Sequence, residues 1–308
     1  MVISLTYFVA GIGVFIWGIF TLTKGLKAFS QQKISQIINK FASNLLKSII
    51  IGFVITLIVQ SSSMVAVIAI TMAGAELLNL KSAAGIIIGS NIGTTIAVQL
   101  YAFNLFKIAP YLVFIGSLLH FQNYGDKLKI VGRVLLGFGL VLYGLKTMEL
   151  ATIPLKKNSN FDLINANFSN PLWGIVVGII TALILQSSNV GIATLQVLVS
   201  SQLITLSQAL PIIYGLNIGT CSEAIILSFS TNKEGKKIAL FNIFFNIVGT
   251  ILFLPFTNFF TEFLKFVSPY NPSRQVANAH TFFNLFSAVL IVPFLKQLFA
   301  LIDKLVNK

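Results

Sequence analysis

Four polar residues, Gln60-Ser61-Ser62-Ser63, sit between Ile49–Val59 and Met64–Ala75, two runs that are almost entirely apolar. The interruption returns 126 residues later as Gln186-Ser187-Ser188-Asn189. A polar group without a partner inside a bilayer is expensive, so each tetrad needs a partner, a water-filled cavity or a bound solute. The apolar pieces 45–59 and 64–75 are each shorter than the roughly 20 residues that a spanning helix needs. One helix over 45–75 would be about 46 Å long against a hydrocarbon core of about 30 Å. The spacing therefore predicts a re-entrant hairpin over 45–75 that dips into the membrane and returns to its side of entry.

Composition agrees with a membrane setting. Of the 308 residues, 56% are hydrophobic and 9% charged, with a mean hydropathy of +0.90, whereas a soluble domain carries about a quarter charged residues. No hydrophilic stretch is long enough for a separate soluble domain of about 50 residues or more. The formal net charge of +13 reads as an orientation signal, with no nucleic acid implied. A single cysteine, Cys221, excludes an intrachain disulfide and a cysteine metal cluster, and two distant histidines argue against catalytic zinc. Val2–Leu22 has no basic residue before it and no small-residue cleavage site after it, so it reads as a retained span.

Taken in order, residues 4–26 read as a first span with Gly11, Gly13 and Gly18 available for close contact. An amphipathic surface helix is expected within Lys24–Lys47, where Ile34, Ile37, Ile38 and Phe41 recur at helical spacing. After the hairpin, residues 82–103 form a span expected to unwind at Gly89-Ser90-Asn91-Ile92-Gly93-Thr94-Thr95. Residues 110–121 give a shorter crossing, followed by a polar loop with Asp126, Lys127, Lys129 and Arg133.

From residue 131 the pattern restarts. At an ungapped offset of 126, Gly52, Gln60-Ser61-Ser62 and Asn91-Ile92-Gly93-Thr94 fall on Gly178, Gln186-Ser187-Ser188 and Asn217-Ile218-Gly219-Thr220. Polar matches in one register do not arise from apolar composition, so the chain reads as a duplication. Repeat 1 is 1–130 with its hairpin at 45–75, and repeat 2 is 131–260 with its hairpin at 172–200. The second copy has spans at 134–153, 207–229 and 238–260, the middle one broken. Residues 261–308 add an extra C-terminal span at 276–300 and a tail. That span resembles 238–260 at an offset of 38, with Phe245-Asn246 and Pro255-Phe256 on Phe283-Asn284 and Pro293-Phe294.

Three crossings per copy would place the second copy upside down relative to the first. With that topology 15 basic residues fall on one side and 6 on the other. The bias predicts an outside amino terminus and a cytoplasmic carboxyl terminus. The expected fold class is an all-α integral membrane protein of two inverted-topology repeats, each with a re-entrant hairpin and a broken helix, plus the extra C-terminal helix.

At a helix break inside the membrane, orphan N–H groups favour an anion, while exposed carbonyls and hydroxyls favour a small cation. Gln60, Ser61, Ser62, Ser63, Gln186, Ser187, Ser188 and Asn189 are the candidate anion-binding residues. Gln60 and Gln186 both donate and accept, so they can bridge anion and cation. With Ser62, Ser188, Asn91, Thr94, Thr95, Asn217, Thr220 and Ser222 they supply oxygens that suit Na⁺, a hard cation. No Lys or Arg lies in these segments, so an anion would depend on co-bound cations, a route to coupling. Interhelical glue, worth about 0.6 kcal/mol per contact, would not need two tetrads in register with two Asn-Ile-Gly-Thr segments. Glu223 is the one carboxylate near the second break; Lys146 and Glu149 read as an i,i+3 pair, His280 as a packed histidine and Trp173 as an interface anchor.

Paired Gln-Ser-Ser motifs, each followed by Asn-Ile-Gly-Thr, resemble the type II sodium-dependent phosphate cotransporter family and its bacterial members. The resemblance covers nearly the whole chain. It implies a secondary active transporter, without enzymatic or cofactor chemistry, coupling Na⁺ to movement of inorganic phosphate between the two hairpins. Asn189 departs from the Ser or Thr usual there. The helical regulatory domain of many bacterial members does not follow Lys308, so regulation by that route is expected to be absent or to lie on a separate cytoplasmic protein. A multi-pass plasma-membrane protein with lipid contacts, alone or as a homodimer, fits this reading. The alternatives are a Na⁺-coupled carrier of another small oxyanion, a phosphate exporter and, in a different class, an anion channel.

Overall fold

The computed structural model describes residues 2–28, 38, 42, 44–103, 105–122, 125–156 and 170–307. It is all-helical among these residues, and six helices are long and apolar enough to cross a membrane. In chain order the first half comprises α1 (Val2–Ala28), α2 (Leu45–Val59), α3 (Ser62–Gly74), α4 (Leu80–Tyr101) and α5 (Ala109–Phe121). The second comprises α6 (Asp126–Leu155), α7 (Pro171–Leu185), α8 (Ser188–Ser200), α9 (Leu206–Gly219), α10 (Ser222–Ser228), α11 (Lys233–Phe253) and α12 (Thr257–Val267). α13 (Pro272–Ile291) and α14 (Leu295–Val306) close the chain.

Helix starts and stops recur at the 126-residue offset. Asn44 caps α2 and Asn170 caps α7, each accepting a backbone N–H. Asn79 caps α4 and Thr205 caps α9, on the N–H groups of Ser82 and Gln208. Among the described residues the non-glycine positions with positive φ are Gln60, Glu76, Gln186 and Gln202, two pairs at that same offset. Paired elements have equal lengths, 15 residues for α2 and α7 and 13 for α3 and α8.

Packing fixes the direction of each piece. Along α2, a Cβ on Gly85 would meet Leu45 and Ser48, while one on Gly93 would meet Phe53 and Thr56, so α2 and α4 run parallel. The Ser82 hydroxyl donates to the Ala42 carbonyl at 2.8 Å, holding the start of α4 beside the start of α2. The chain therefore returns to its level of entry between Val59 and Leu80, which makes α2 and α3 a hairpin. In the second half Gly174 faces Pro211 and Gly219 faces Ala182, so α7 and α9 are parallel by the same test. α1 and α6 are antiparallel: Gly11 lies against Gly144 and Met148, Gly18 against Gly137 and Val141, Gly25 against Val134. These contacts are reciprocal, because Gly11 and Gly18 fall on Gly137 and Gly144 at the repeat offset.

Four expectations are corrected. α4 is continuous from Leu80 to Tyr101, with no unwinding at Gly89–Thr95. Its glycines serve close approach: a Cβ on Gly89 would run into the Ile49 carbonyl of α2. Only the second copy is interrupted, by a turn at Thr220-Cys221 between α9 and α10. Lys24 and Lys27 belong to the end of α1; most of the expected amphipathic helix lies outside the described residues. The polar residues Asp126, Lys127, Lys129 and Arg133 form the first turns of α6, whose 30 residues exceed a bilayer core in length. The C-terminal stretch is a helix, a 3₁₀ turn at Val292–Phe294 and the amphipathic α14. It matches the turn at Leu254–Phe256 and α12 at the 38-residue offset.

Candidate functional site

Each hairpin tip is one left-handed residue followed by one extended residue. Gln60 ends α2 with φ 56° and ψ 24°, and Gln186 ends α7 with φ 48° and ψ 28°. Their N–H groups donate back to the carbonyls of Thr56 at 2.7 Å and Ala182 at 2.8 Å. Glycine is the usual residue in this position, and another L-residue costs about 1–2 kcal/mol. A glutamine occupies the position in both places. Gln60 Nε2 donates to the Leu57 carbonyl at 2.6 Å, which ties its amide nitrogen back to α2. Ser61 and Ser187, at φ −149° and −157°, then stand at the N-terminal ends of α3 and α8. Ser61 Oγ accepts from Met64 N at 3.2 Å; Ser187 makes no capping bond.

Both tips open into one cavity of about 580 Å³. Its lining includes all eight candidate anion-binding residues, Gln60 to Ser63 and Gln186 to Asn189, together with Thr94 and Thr220. The halves touch here: Ser63 Oγ donates to the Thr220 carbonyl at 3.3 Å, an oxygen placed at the end of α9. Ser62 and Ser188 are buried in the first turns of their helices, and Asn189 is buried with its Oδ1 unpartnered. Two half-helices thus begin at one cavity, each with backbone N–H groups that no helical carbonyl satisfies.

Four sodium-ligand candidates do not line this cavity. Asn91 Nδ2 donates to the Ile87 carbonyl at 3.2 Å and Thr95 Oγ1 to the Ile92 carbonyl at 2.8 Å. Asn217 Nδ2 donates to the Ile213 carbonyl at 2.8 Å, and its Oδ1 accepts from Asn284 at 3.4 Å. Ser222 opens α10 two residues after Thr220. Glu223, half-buried beside it, is also outside the lining. His280 is fully buried with neither ring nitrogen bonded, and Lys146 and Glu149 form a 3.0 Å pair. Among the described residues no group of His, Cys, Asp and Glu could hold a metal ion.

The sequence reading did not include α1 in the site. Ile16, Ile19, Phe20, Thr23, Lys24 and Lys27 form one wall of the cavity. Their spacing of three and four was a legible helix face, but only its packing against α6 turns that face toward the tips. A second pocket of about 260 Å³, lined by Tyr101, Leu145, Glu149, Gln196 and Val197 among others, contains no tip residue. Tyr101, Leu145 and Val197 belong to an apolar cluster with Phe15, Met148 and Val190. Val190 also lines the first cavity, so this cluster separates the two spaces. Phe15 meets Tyr101 edge-on within it, at 5.4 Å between ring centroids.

A family profile described as Na⁺/Pi-cotransporter matches residues 14–150 and 154–266. The Bacillus subtilis (strain 168) protein YqeW is 32% identical over 274 residues, 88% of either chain. An Escherichia coli (strain K12) protein named putative inorganic phosphate export protein YjbB is 23% identical over 84% of this chain. The human sodium-dependent phosphate transport protein 2B is 27% identical over 136 residues, 41% of this chain. The alignments cover about half of the Escherichia coli protein (48%) and a fifth of the human one (20%). No solved structure matches. With its helices of membrane-crossing length and a profile match over most of its length, the chain is an integral membrane protein that belongs to the Na⁺/Pi-cotransporter family.

Proposed function

We propose that the chain couples Na⁺ to the movement of inorganic phosphate, with the substrate held between the two Gln-Ser-Ser tips. The observation that carries this reading is the single cavity reached by both tips. Phosphate needs many donors around a tetrahedron, and paired helix N-termini with Ser61, Ser62, Ser187 and Ser188 supply them. Among the described residues no carboxylate lines the cavity to oppose an anion. Na⁺ needs oxygens, and Gln60, Gln186, Thr94, Thr220, the Thr220 carbonyl and the unpartnered Asn189 Oδ1 offer them.

The repeats act as two inverted units in this proposal, and the antiparallel, reciprocal packing of α1 on α6 supports it. The apolar cluster around Phe15 and Tyr101 closes one route while the cavity opens by the other, so alternating access requires that cluster to part. Export is the second reading, favoured by the name of the Escherichia coli relative.

The test is ³²P-phosphate flux in proteoliposomes with and without a Na⁺ gradient; equal flux in both would end the coupling claim. Orientation is read by thiol labelling of Tyr270→Cys and Asn307→Cys in a Cys221→Ser background. Labelling of both from one face of intact cells would overturn the proposed topology.

A further inference from the structure

Among the described residues, the wall that α1 contributes is the cavity's only charged surface. Lys24 and Lys27 both line it, and no Asp or Glu does. Lys24 Nζ rests 4.2 Å from the centroid of the Phe20 ring. Lys27 Nζ donates to Met64 Sδ at 3.1 Å, which brings an ammonium group to the residue directly after Ser63. A ring face and a thioether are soft partners, and both are weaker than a phosphate oxygen as acceptors. Exchange of the Lys24 ring contact for an incoming oxyanion is therefore favourable.

The repeat makes this placement informative. At the 126-residue offset Lys24 and Lys27 correspond to Leu150 and Ile153, so the equivalent end of α6 lacks both charges. Thr23 corresponds to Glu149, which lines the separate pocket and pairs with Lys146. Because α1 and α6 are antiparallel, with Gly25 beside Val134 and Gly11 beside Met148, the Lys24 and Glu149 ends lie about 20 Å apart along the pair. The first cavity carries two ammonium groups on its wall, whereas the second carries a carboxylate that Lys146 pairs, with Arg274 over the Phe103 ring beside it.

We infer that Lys24 and Lys27 are an anion-capture station at the open mouth, giving the chain higher apparent affinity for phosphate on the face where α1 ends than on the opposite face. This rests on the phosphate reading above and adds a sidedness to it. Charges at a low-dielectric mouth raise the local concentration and encounter rate of an oppositely charged solute, and salt screens the effect. They hold phosphate while the cavity is open to that face, so their loss raises KM and the maximal rate from that face together.

The experiment compares right-side-out and inside-out membrane vesicles at fixed Na⁺, with ionic strength set by choline chloride. In Lys24→Gln/Lys27→Gln, KM for ³²P-phosphate on the α1-end face should rise about tenfold at low ionic strength and less than about twofold at high. The maximal rate from that face should rise with KM, leaving V/KM in both directions and the opposite-face KM unchanged. Lys24→Arg/Lys27→Arg, which keeps the charge, should restore the wild-type KM; this pair and a monodisperse elution profile separate charge from folding. An unchanged KM in an active double glutamine variant, or equal rises on both faces, would overturn the station alone. A wild-type chain that moves no phosphate would overturn the parent reading and the station together.

Discussion

The two hairpin tips share a backbone and differ in how their side chains are used. Gln60 and Gln186 are both left-handed, and Ser61 and Ser187 both extended. At the first tip the fourth residue, Ser63, is half-exposed and bonds across to the Thr220 carbonyl. At the second, Asn189 is buried with an oxygen that has no partner. The adjoining helices diverge with them: α4 runs on to Tyr101, whereas α9 stops at Gly219 before a turn. That turn places the Thr220 carbonyl where Ser63 reaches it. A common scaffold thus holds one tip tied to the other half and one with spare ligand capacity, so a shared motif does not imply equal roles.

The scaffold part of the comparison is broken or sharpened most strongly by Gln60→Gly and Gln186→Gly. Glycine suits a left-handed position better than glutamine, so folded yield and thermal midpoint should hold or rise. Loss of side-chain bonds to a charged ligand should lower phosphate transport about a hundredfold in either variant. Near-normal transport in one of the two would mean that only one tip binds substrate.

Next in size are Gly89→Ala and Gly215→Ala. Each new Cβ would run into a carbonyl of the paired hairpin helix, Ile49 or Ile175. Overpacking of this kind costs about 1–3 kcal/mol, read as a fall in thermal midpoint. Similar losses are expected because the contacts are repeat mates; tolerance at one site only would show that the halves do not share this packing.

These glycines also explain what was and was not legible in the sequence. Hairpin pieces at 45–59 and 64–75 were readable from apolar run length, and the helices cover 45–59 and 62–74. The small shift arises because Ser62, polar but helical, is the first residue of α3. Gly89 and Gly93 looked like breakers because propensity sees only the local chain. Their missing side chains are filled by the α2 backbone, and burial of α4 on every side overrides their low propensity. The tips and Thr94 and Thr220 were legible because polarity in an apolar run is costly wherever the fold puts it. The α1 wall was not, because Lys24 and Lys27 acquire their position from glycine contacts between α1 and α6 that no local pattern announces.

Asn189→Ala and Ser63→Ala address the difference between the tips. Asn189 carries a buried oxygen with no protein partner, so its loss should raise the Na⁺ or phosphate concentration for half-maximal flux about tenfold. Ser63 spends its hydroxyl on the Thr220 carbonyl, and Ser63→Ala should change the same quantities about threefold. The reverse order would make the tied tip the main ligand source.

The smallest effect is expected from Glu223→Ala, which installs the residue that its repeat mate, Ala97, already has. Glu223 lies in the first turn of α10 and outside the cavity lining. An acid in a first turn gains about 0.3–1 kcal/mol from the helix dipole. Its removal should therefore leave flux and Na⁺ dependence within about threefold of wild type. Glu223 is the one carboxylate beside the interrupted α9, so a larger loss confined to Na⁺ dependence would bring the α9–α10 turn into the cation site. The two halves would then differ in ion binding as well as in how their tips are held.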